Sequence, residues 1–397
     1  MKITAIICEY NPLTHGHAMH LKKAKEETGA DTILCVMSGS FTQRGDAAIA
    51  DKYMRAEQAI YAGADIVVEL PTIYAISPAD NFAYGAIKTI SAFPDVHYIS
   101  FGSECGDANL IMKLARLLVD EPEELSRYIR KHLEMGVAFP KARANAIKDY
   151  VDSHEECRGI ETILESPNNI LGVSYATAII KAGLDIKLHT IKREGGDFDS
   201  SDISSHLPSS SAVRQAFARG DMVNVSNAVP ESVMGMLSVI KPQRDALGDM
   251  TLFKIKSISG YELEKYYDVT GGVHNRLKIA AQNASTVEEM LESAKTKAYT
   301  MARLKRICLY ALFDITKEKY EECVKCPPYV QVLALRSTRK DILSALSLGC
   351  KNVLTRYSDV NKVDKSLRYM IKLDFTAQGT LDIINRNNVY NKKMLLI

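Results

Sequence analysis

The sequence predicts an α/β fold: a parallel sheet covered on both faces by helices, with a helical insertion and a smaller, basic, helix-rich C-terminal domain. Three observations carry this expectation. Apolar runs of strand length alternate with helical patterns through the first half of the chain, as in sheets whose strands are buried on both faces. Residues 107–150 interrupt the alternation with helical pattern alone, Pro122 and Pro140 marking helix starts. Charge then divides the chain: residues 1–240 hold 23 Lys+Arg against 31 Asp+Glu (net −8), and residues 241–397 hold 27 against 17 (net +10).

Taken in order, Lys2–Cys8 is an apolar strand, followed by the Asn11-Pro12 turn and a helical pattern from about His17 to Thr28. Asp31–Met37 is a second strand, Asp51–Ala62 a helix, and Ile66–Leu70 a short β-branched strand. Pro78–Ala92 reads as a helix and Val96–Phe101 as a strand. Beyond the insertion, Leu171–Ala182 is helical and Ile186–Lys192 extended. Gly195–Pro208, polar with four Ser and three Asp, is expected to be a mobile loop. Pro230 and Pro242 bracket the change to the basic part, where Arg276–Asn283 and Tyr299–Phe313 are helical and Tyr329–Leu335 is strand-like. The chain is therefore divided into a catalytic domain, 1–240, and a basic domain, 241–397.

With 397 residues, 46% hydrophobic and 25% charged, the composition is that of a globular protein long enough for two or three domains. No apolar run approaches the roughly 20 residues that span a bilayer, and Met1-Lys2 leads straight into a core strand rather than a signal segment. Eight scattered cysteines, Cys8 and Cys35 among them inside apolar strands, fit reduced thiols and a cytoplasmic location. Cys323 and Cys326 form the one Cys-x-x-Cys, without a second pair at zinc spacing, so no metal site is expected.

The most informative stretch is Ile6 to His17. A strand, a tight loop and a helix start bring unpaired backbone N–H groups and a partial positive charge to one point, which suits a phosphate. Thr14 and His17 stand three residues apart there, and Gly16 lets a ligand approach the backbone. About 190 residues on, Ser209-Ser210-Ser211 and then Arg214 follow Pro208 at a second helix start. Hydroxyls with a guanidinium fork again suit phosphate. The bland readings are a helix-start histidine satisfied by local backbone, and an N-cap beside a surface arginine.

Thr14-x-Gly16-His17 and Ser210-Ser211-x-x-Arg214 resemble the two signatures of the HIGH-type nucleotidyltransferase superfamily. Glu9-Tyr10-Asn11-Pro12, Ser38–Gly45, Gly63–Pro71, Phe101–Glu104, Ser166–Gly172 and Ile191-Lys192-Arg193 are similar to the bacterial tRNA(Met) cytidine acetate ligase family. The dense similarity runs from Met1 to about Arg219. It implies a Rossmann-like nucleotidyltransferase sheet and an ATP-dependent, AMP-forming ligase. That enzyme makes N4-acetylcytidine at the wobble position of elongator tRNA(Met) from acetate, through an acetyl-adenylate. Mg²⁺ is expected to travel with ATP, and no protein partner is expected.

The resemblance implies catalytic roles for Thr14, His17 and Arg214. It implies a nucleotide site made of Ile7, Cys8, Glu9, Tyr10, Asn11, Pro12, Thr14, Gly16, His17, His20, Gly102, Asn168, Arg193, Ser210, Ser211 and Arg214. His20, three residues after His17, shares its helix face, whereas His15 is expected to be exposed. Gln43 and Arg44 are candidates for the acetate carboxylate, or equally for a structural salt bridge. Glu9 is a base, a metal-ion orienter or a loop holder. Lys297, Arg303, Lys305 and Arg306 cluster in and before one helix and are the expected tRNA contacts in the basic half. Two other functions share parts of this pattern. A nucleotidyltransferase making a small-molecule nucleotide conjugate would have both signatures but no use for a basic C-terminal half. A non-catalytic, nucleotide-dependent RNA-binding protein would not need His17 and Arg214 intact.

Overall fold

The computed structural model describes residues 1–137, 139–193, 203, 207–240, 246–386 and 393–397. The expected polar loop over 195–208 lies outside the described residues except at Ile203, Leu207 and Pro208, as does Pro242.

Strands β1 (Ile3–Cys8), β2 (Thr32–Ser38), β3 (Ile66–Leu70), β4 (Val96–Ser103) and β5 (Lys187–Lys192) follow the apolar runs. They pair in parallel in the order β5-β4-β1-β2-β3. Alternate residues point to opposite faces, and both faces are buried. Ala5, Leu34, Val36, Ile66 and Val68 enter one core, while Ile6, Ile33, Cys35, Met37 and Val67 enter the other. Helices α1 (His15–Thr28) and α2 (Lys52–Tyr61) cover the second face through Leu21, Ala24, Tyr53, Ala56 and Ile60. The helices Ala79–Ile90 and Pro167–Ala182 cover the first.

Local chemistry sets the helix ends. Asp51 accepts from the N–H groups of Tyr53 (2.9 Å) and Met54 (3.0 Å) to start α2. Gly29 closes α1 with a left-handed φ of 60°. The insertion includes the helices Ala108–Asp120, Glu123–Glu134 and Phe139–Ser153, the second starting directly after Pro122.

Beyond residue 240 the chain does two things. Its helices, among them Val273–Asn283 and Met301–Leu312, join the first-face core. Its strands β6 (Val330–Leu335), β7 (Val353–Leu354) and β8 (Leu395–Leu396) extend the sheet. β6 pairs antiparallel with β3, so the sheet is mixed rather than wholly parallel and runs across the charge boundary at 240.

The structure corrects the expected tRNA cluster. Arg303 pairs with Asp268 (3.2 Å) and donates to Thr270 Oγ1 (2.8 Å). Lys305 pairs with Asp46 (2.7 Å), and buried Arg306 donates to the carbonyl of Gln43 (3.2 Å). These cations tie the Met301–Leu312 helix to the rest of the protein, and only Lys297 of the four is exposed. Lys365, Arg368 and Lys372, at the start of the Arg368–Asn385 helix, are among the exposed cations of this half.

Candidate active site

β1 has β2 on one side and β4 on the other, so the strand order reverses between β1 and β4. Ligands of open α/β sheets bind at the carboxyl ends of strands at such a point. A cleft of ≈310 Å³ opens there, within the usual range for small-molecule sites.

The cleft gathers the expected residues from six stretches of the chain. The end of β1, the loop after it and the start of α1 bring Ile7, Cys8, Glu9, Tyr10, Asn11, Thr14, Gly16, His17 and His20. The loop after β2 brings Gln43 and Arg44, β4 brings Gly102, and Asn168 stands in the first turn of the Pro167–Ala182 helix. Arg193 follows β5, and Ser210, Ser211 and Arg214 come from the Ser210–Ala218 helix. Pro12 alone of the expected residues does not line it; its carbonyl accepts from Ser210 Oγ (3.0 Å), so it shapes the loop instead. His15 points away and is exposed.

Thr14 is the N-cap of α1, whose first turn carries no acidic residue, so the positive end of the helix dipole stays available to an anion. The backbone N–H of Thr14 donates to Nδ1 of His17 (3.1 Å), and Thr14 Oγ1 lies 3.3 Å from the same nitrogen. Because a backbone N–H only donates, Nδ1 must be bare and the ring proton must sit on Nε2. Burial, with the Arg193 charge adding to it, pulls the pKa of His17 down to about 4. His17 is thus a neutral N–H donor at the helix N-terminus. Tyr10 packs edge-on against its ring, with centroids 5.2 Å apart. A Cβ on Gly16 would meet nothing closer than Thr14 Oγ1 at 3.7 Å, so the space its hydrogen leaves belongs to the cleft.

Across the cleft, the N-cap is Ser209, which accepts from Ala212 N–H (3.1 Å). Arg214 is no surface residue. Its Nη1 donates to the carbonyl of Asn11 (2.6 Å), and burial lowers its pKa. Ser210 and Arg214 together therefore lock the second signature onto the β1–α1 loop carrying the first. Asn11 Oδ1 accepts from Ile49 N–H (2.7 Å), leaving its buried Nδ2 without a partner.

Glu9 is engaged with the end of β2 and the loop after it. It accepts from Gln43 N–H (2.7 Å) and Ser38 Oγ (3.4 Å), and burial raises its pKa. Gln43 is also engaged, donating to the carbonyl of Ser77 (3.2 Å). Asn168 donates to Glu104 (2.6 Å), whose carboxylate also accepts from Asn169 N–H (3.1 Å) and so caps that helix. Over Gly102 runs the stem of Arg193, 3.4 Å from where a Cβ would stand. No group of three or more His, Cys, Asp or Glu able to hold a metal occurs among the described residues.

Arg55, on α2, went unnoticed in the sequence. Fully buried, it donates to the carbonyls of Ala50 (3.0 Å), Glu9 (2.6 Å), Ser38 (3.1 Å) and Gly39, tying the ends of β1 and β2 together. Burial lowers its pKa to about 10. Nothing local distinguishes it from an ordinary helix cation.

The family model described as HIGH Nucleotidyl Transferase matches residues 1–394. The tRNA(Met) cytidine acetate ligase of Clostridium perfringens (strain ATCC 13124) is 33% identical over 402 residues, covering 100% of this chain and 98% of that protein. The chain belongs to this family. The tRNA(Met) cytidine acetate ligase of Thermoanaerobacter sp. (strain X514) is 35% identical over 389 residues, 96% of this chain and 93% of that one. Among solved structures, Thermotoga maritima TmcAL in its apo form aligns over the whole of both chains with a TM-score of 0.92 at 30% identity. The same protein bound to alpha-thio ATP aligns equally fully, with a TM-score of 0.90 at 29% identity.

Proposed function

We propose that this chain is an ATP-dependent, AMP-forming acetate ligase acting on elongator tRNA(Met). Acetate attacks the α-phosphate of ATP, giving acetyl-adenylate and pyrophosphate. The exocyclic N4 amine of the wobble cytidine then takes the acetyl group, leaving AMP and N4-acetylcytidine. The observation that carries this reading is the pairing of the two signatures across one cleft: the α1 N-terminus with neutral His17 on one side, Ser211 and Arg214 on the other. Support for the acceptor and the donor comes from full-length relatives that share one name.

The protein's part in the first step is positioning and charge stabilisation. Negative charge grows on the α-phosphate oxygens and the departing pyrophosphate. The N–H groups of the first turn of α1, His17 Nε2–H, and the guanidinium hydrogens of Arg214 not spent on Asn11 are donors fixed before the substrate arrives. Mg²⁺ enters with the triphosphate as part of the substrate; Glu9, whose carboxylate is committed to Gln43 and Ser38, is not a ligand we assign to it. Arg44 is the cation we assign to the acetate carboxylate. The wobble base has to leave its stack to reach the cleft, and the +10 charge of residues 241–397 suits the tRNA backbone. The reading includes a cytoplasmic location, consistent with eight cysteines free of disulfides.

Incubation with labelled ATP, acetate and bulk tRNA, each left out in turn, tests the proposal. N4-Acetylcytidine that needs all three supports it; product formed without acetate, or a nucleotide conjugate formed without tRNA, refutes it.

A further inference from the structure

A chain of hydrogen bonds runs from the lining of the cleft to the protein surface. His20 Nε2 lies 2.9 Å from Ser100 Oγ, Ser100 Oγ lies 3.0 Å from His189 Nδ1, and His189 Nε2 lies 3.0 Å from Glu27 Oε2. The four residues come from α1, β4 and β5, and Glu27 closes the chain at the surface, its side chain 51% exposed. Every site has one geometry, but the chain as a whole has two possible directions. Glu27 decides between them.

An ionised carboxylate can only accept. His189 must therefore carry a hydrogen on Nε2, and in the neutral form of that ring, the form the proposal concerns, Nδ1 is bare. Ser100 has one hydroxyl hydrogen, which goes to that Nδ1, leaving its oxygen to accept. His20 must donate to it from Nε2. Burial takes the pKa of His20 down to about 3, so its ring keeps a single hydrogen. His20 Nδ1 is consequently bare, and no group among the described residues bonds to it, while the ring lines the cleft.

We propose that surface Glu27 fixes the tautomer of His20 through His189 and Ser100, so that His20 accepts a hydrogen bond from the adenosine part of the nucleotide. The bonding donor is a ribose hydroxyl or the adenine N6 amine. His17 and His20, one turn apart on the same helix, then have opposite polarities. His17 is an N–H donor toward phosphate oxygen, because the Thr14 N–H occupies its Nδ1. His20 is an acceptor toward the sugar or base. A site built this way rejects a nucleotide lacking the matching donor, since the bare nitrogen is then left unpaired. His20 is the contacting residue; Ser100, His189 and Glu27 are positioning residues. The inference rests on the nucleotide-site reading above.

The test uses the full-length protein with ¹⁵N-labelled histidine and calorimetric titration with ATP. Two-bond ¹H–¹⁵N spectra should show His20 in the Nε2–H form in the wild type. Glu27→Lys replaces an acceptor by a donor, which reverses every bond of the chain and should move His20 to the Nδ1–H form. ATP should then bind about tenfold more weakly. Added positive charge alone would strengthen ATP binding, so a loss cannot come from charge. His20→Ala should weaken ATP about tenfold too, yet leave unchanged the affinity for one of 2′-deoxy-ATP, 3′-deoxy-ATP or purine riboside triphosphate, which identifies the donor. His20 in the Nδ1–H form in the wild type, ATP binding untouched by Glu27→Lys, or equal losses for all three analogues would each overturn the proposal with the nucleotide site still standing. A wild-type protein that binds no ATP would overturn the nucleotide-site reading and this inference with it.

Discussion

Thr14 and His17 are joined by a backbone-to-ring hydrogen bond of 3.1 Å that makes the histidine a donor before any ligand arrives. The bond is a capping interaction turned to another use. The N3 side chain reaches back to the N-cap N–H as a capping-box glutamate would, but an imidazole keeps a second nitrogen free for the cleft. His17→Ala should leave the fold intact and reduce acetyl-adenylate formation roughly a hundredfold or more, the scale of losing one preorganised donor. Thermal unfolding together with pyrophosphate release checks both halves of this expectation.

The same ring gives an acid limb to stability. Its folded pKa, about 4, lies below the ordinary value of 6.5, so the native state favours the neutral form. That contribution is complete above pH 6.5 and is lost as the pH falls through 4, amounting to about 2 kcal/mol after discounting for the part of the ring that faces solvent. Urea unfolding from pH 7 to pH 4 should show a steeper loss for wild type than for His17→Ala. Equal slopes would mean that His17 is not held neutral.

Arg214→Lys should raise the KM for ATP about tenfold. One ammonium cannot both hold the Asn11 carbonyl, as Nη1 now does at 2.6 Å, and offer a planar fork to phosphate. Unchanged KM and turnover would place Arg214 in a purely structural role.

Arg55→Ala should be among the most destabilising substitutions in the protein, by about 3 kcal/mol or more, because four carbonyls lose a buried donor together. Chemical denaturation measures it. A loss below about 1 kcal/mol would show that water or neighbouring groups take over those carbonyls.

The cations of the C-terminal half separate into two sets. Lys305→Glu breaks the pair with Asp46 and should lower adenylate formation and tRNA acetylation alike, since Asp46 belongs to the loop that carries Gln43 and Arg44. Reversing exposed Lys365, Arg368 and Lys372 together should weaken tRNA binding and flatten its salt dependence by about one log unit per lost phosphate contact, with ATP binding unchanged. Salt-titrated filter binding distinguishes them; an unaltered salt slope would place tRNA elsewhere.

How much was legible in the sequence follows from which interactions are local. The runs that became β1 to β5 are read from period and length, and the Thr14–His17 spacing is a property of one helix turn. Each could be found without knowing what lies opposite. Lys305 and Arg306 read as tRNA contacts from the sequence because their partners, Asp46 and the Gln43 carbonyl, lie 259 and 263 residues away. Tyr329–Leu335 was recognisable as a strand, but nothing in it encodes an antiparallel seat beside β3. Asn11 and Arg214 were both suspected of touching ligand, yet only the fold brings the carbonyl of one to the guanidinium of the other. Arg55 carries no local mark at all, since its role consists wholly of carbonyls from three separate segments.

The decisive step is the activation of acetate on ATP in the cleft, with His17 as donor. Acetate-dependent exchange of labelled pyrophosphate into ATP, measured without tRNA in the wild type and in His17→Ala, addresses that step alone. Exchange should require acetate and fall roughly a hundredfold or more in the variant. Exchange independent of acetate, or near-wild-type exchange in His17→Ala, would contradict it.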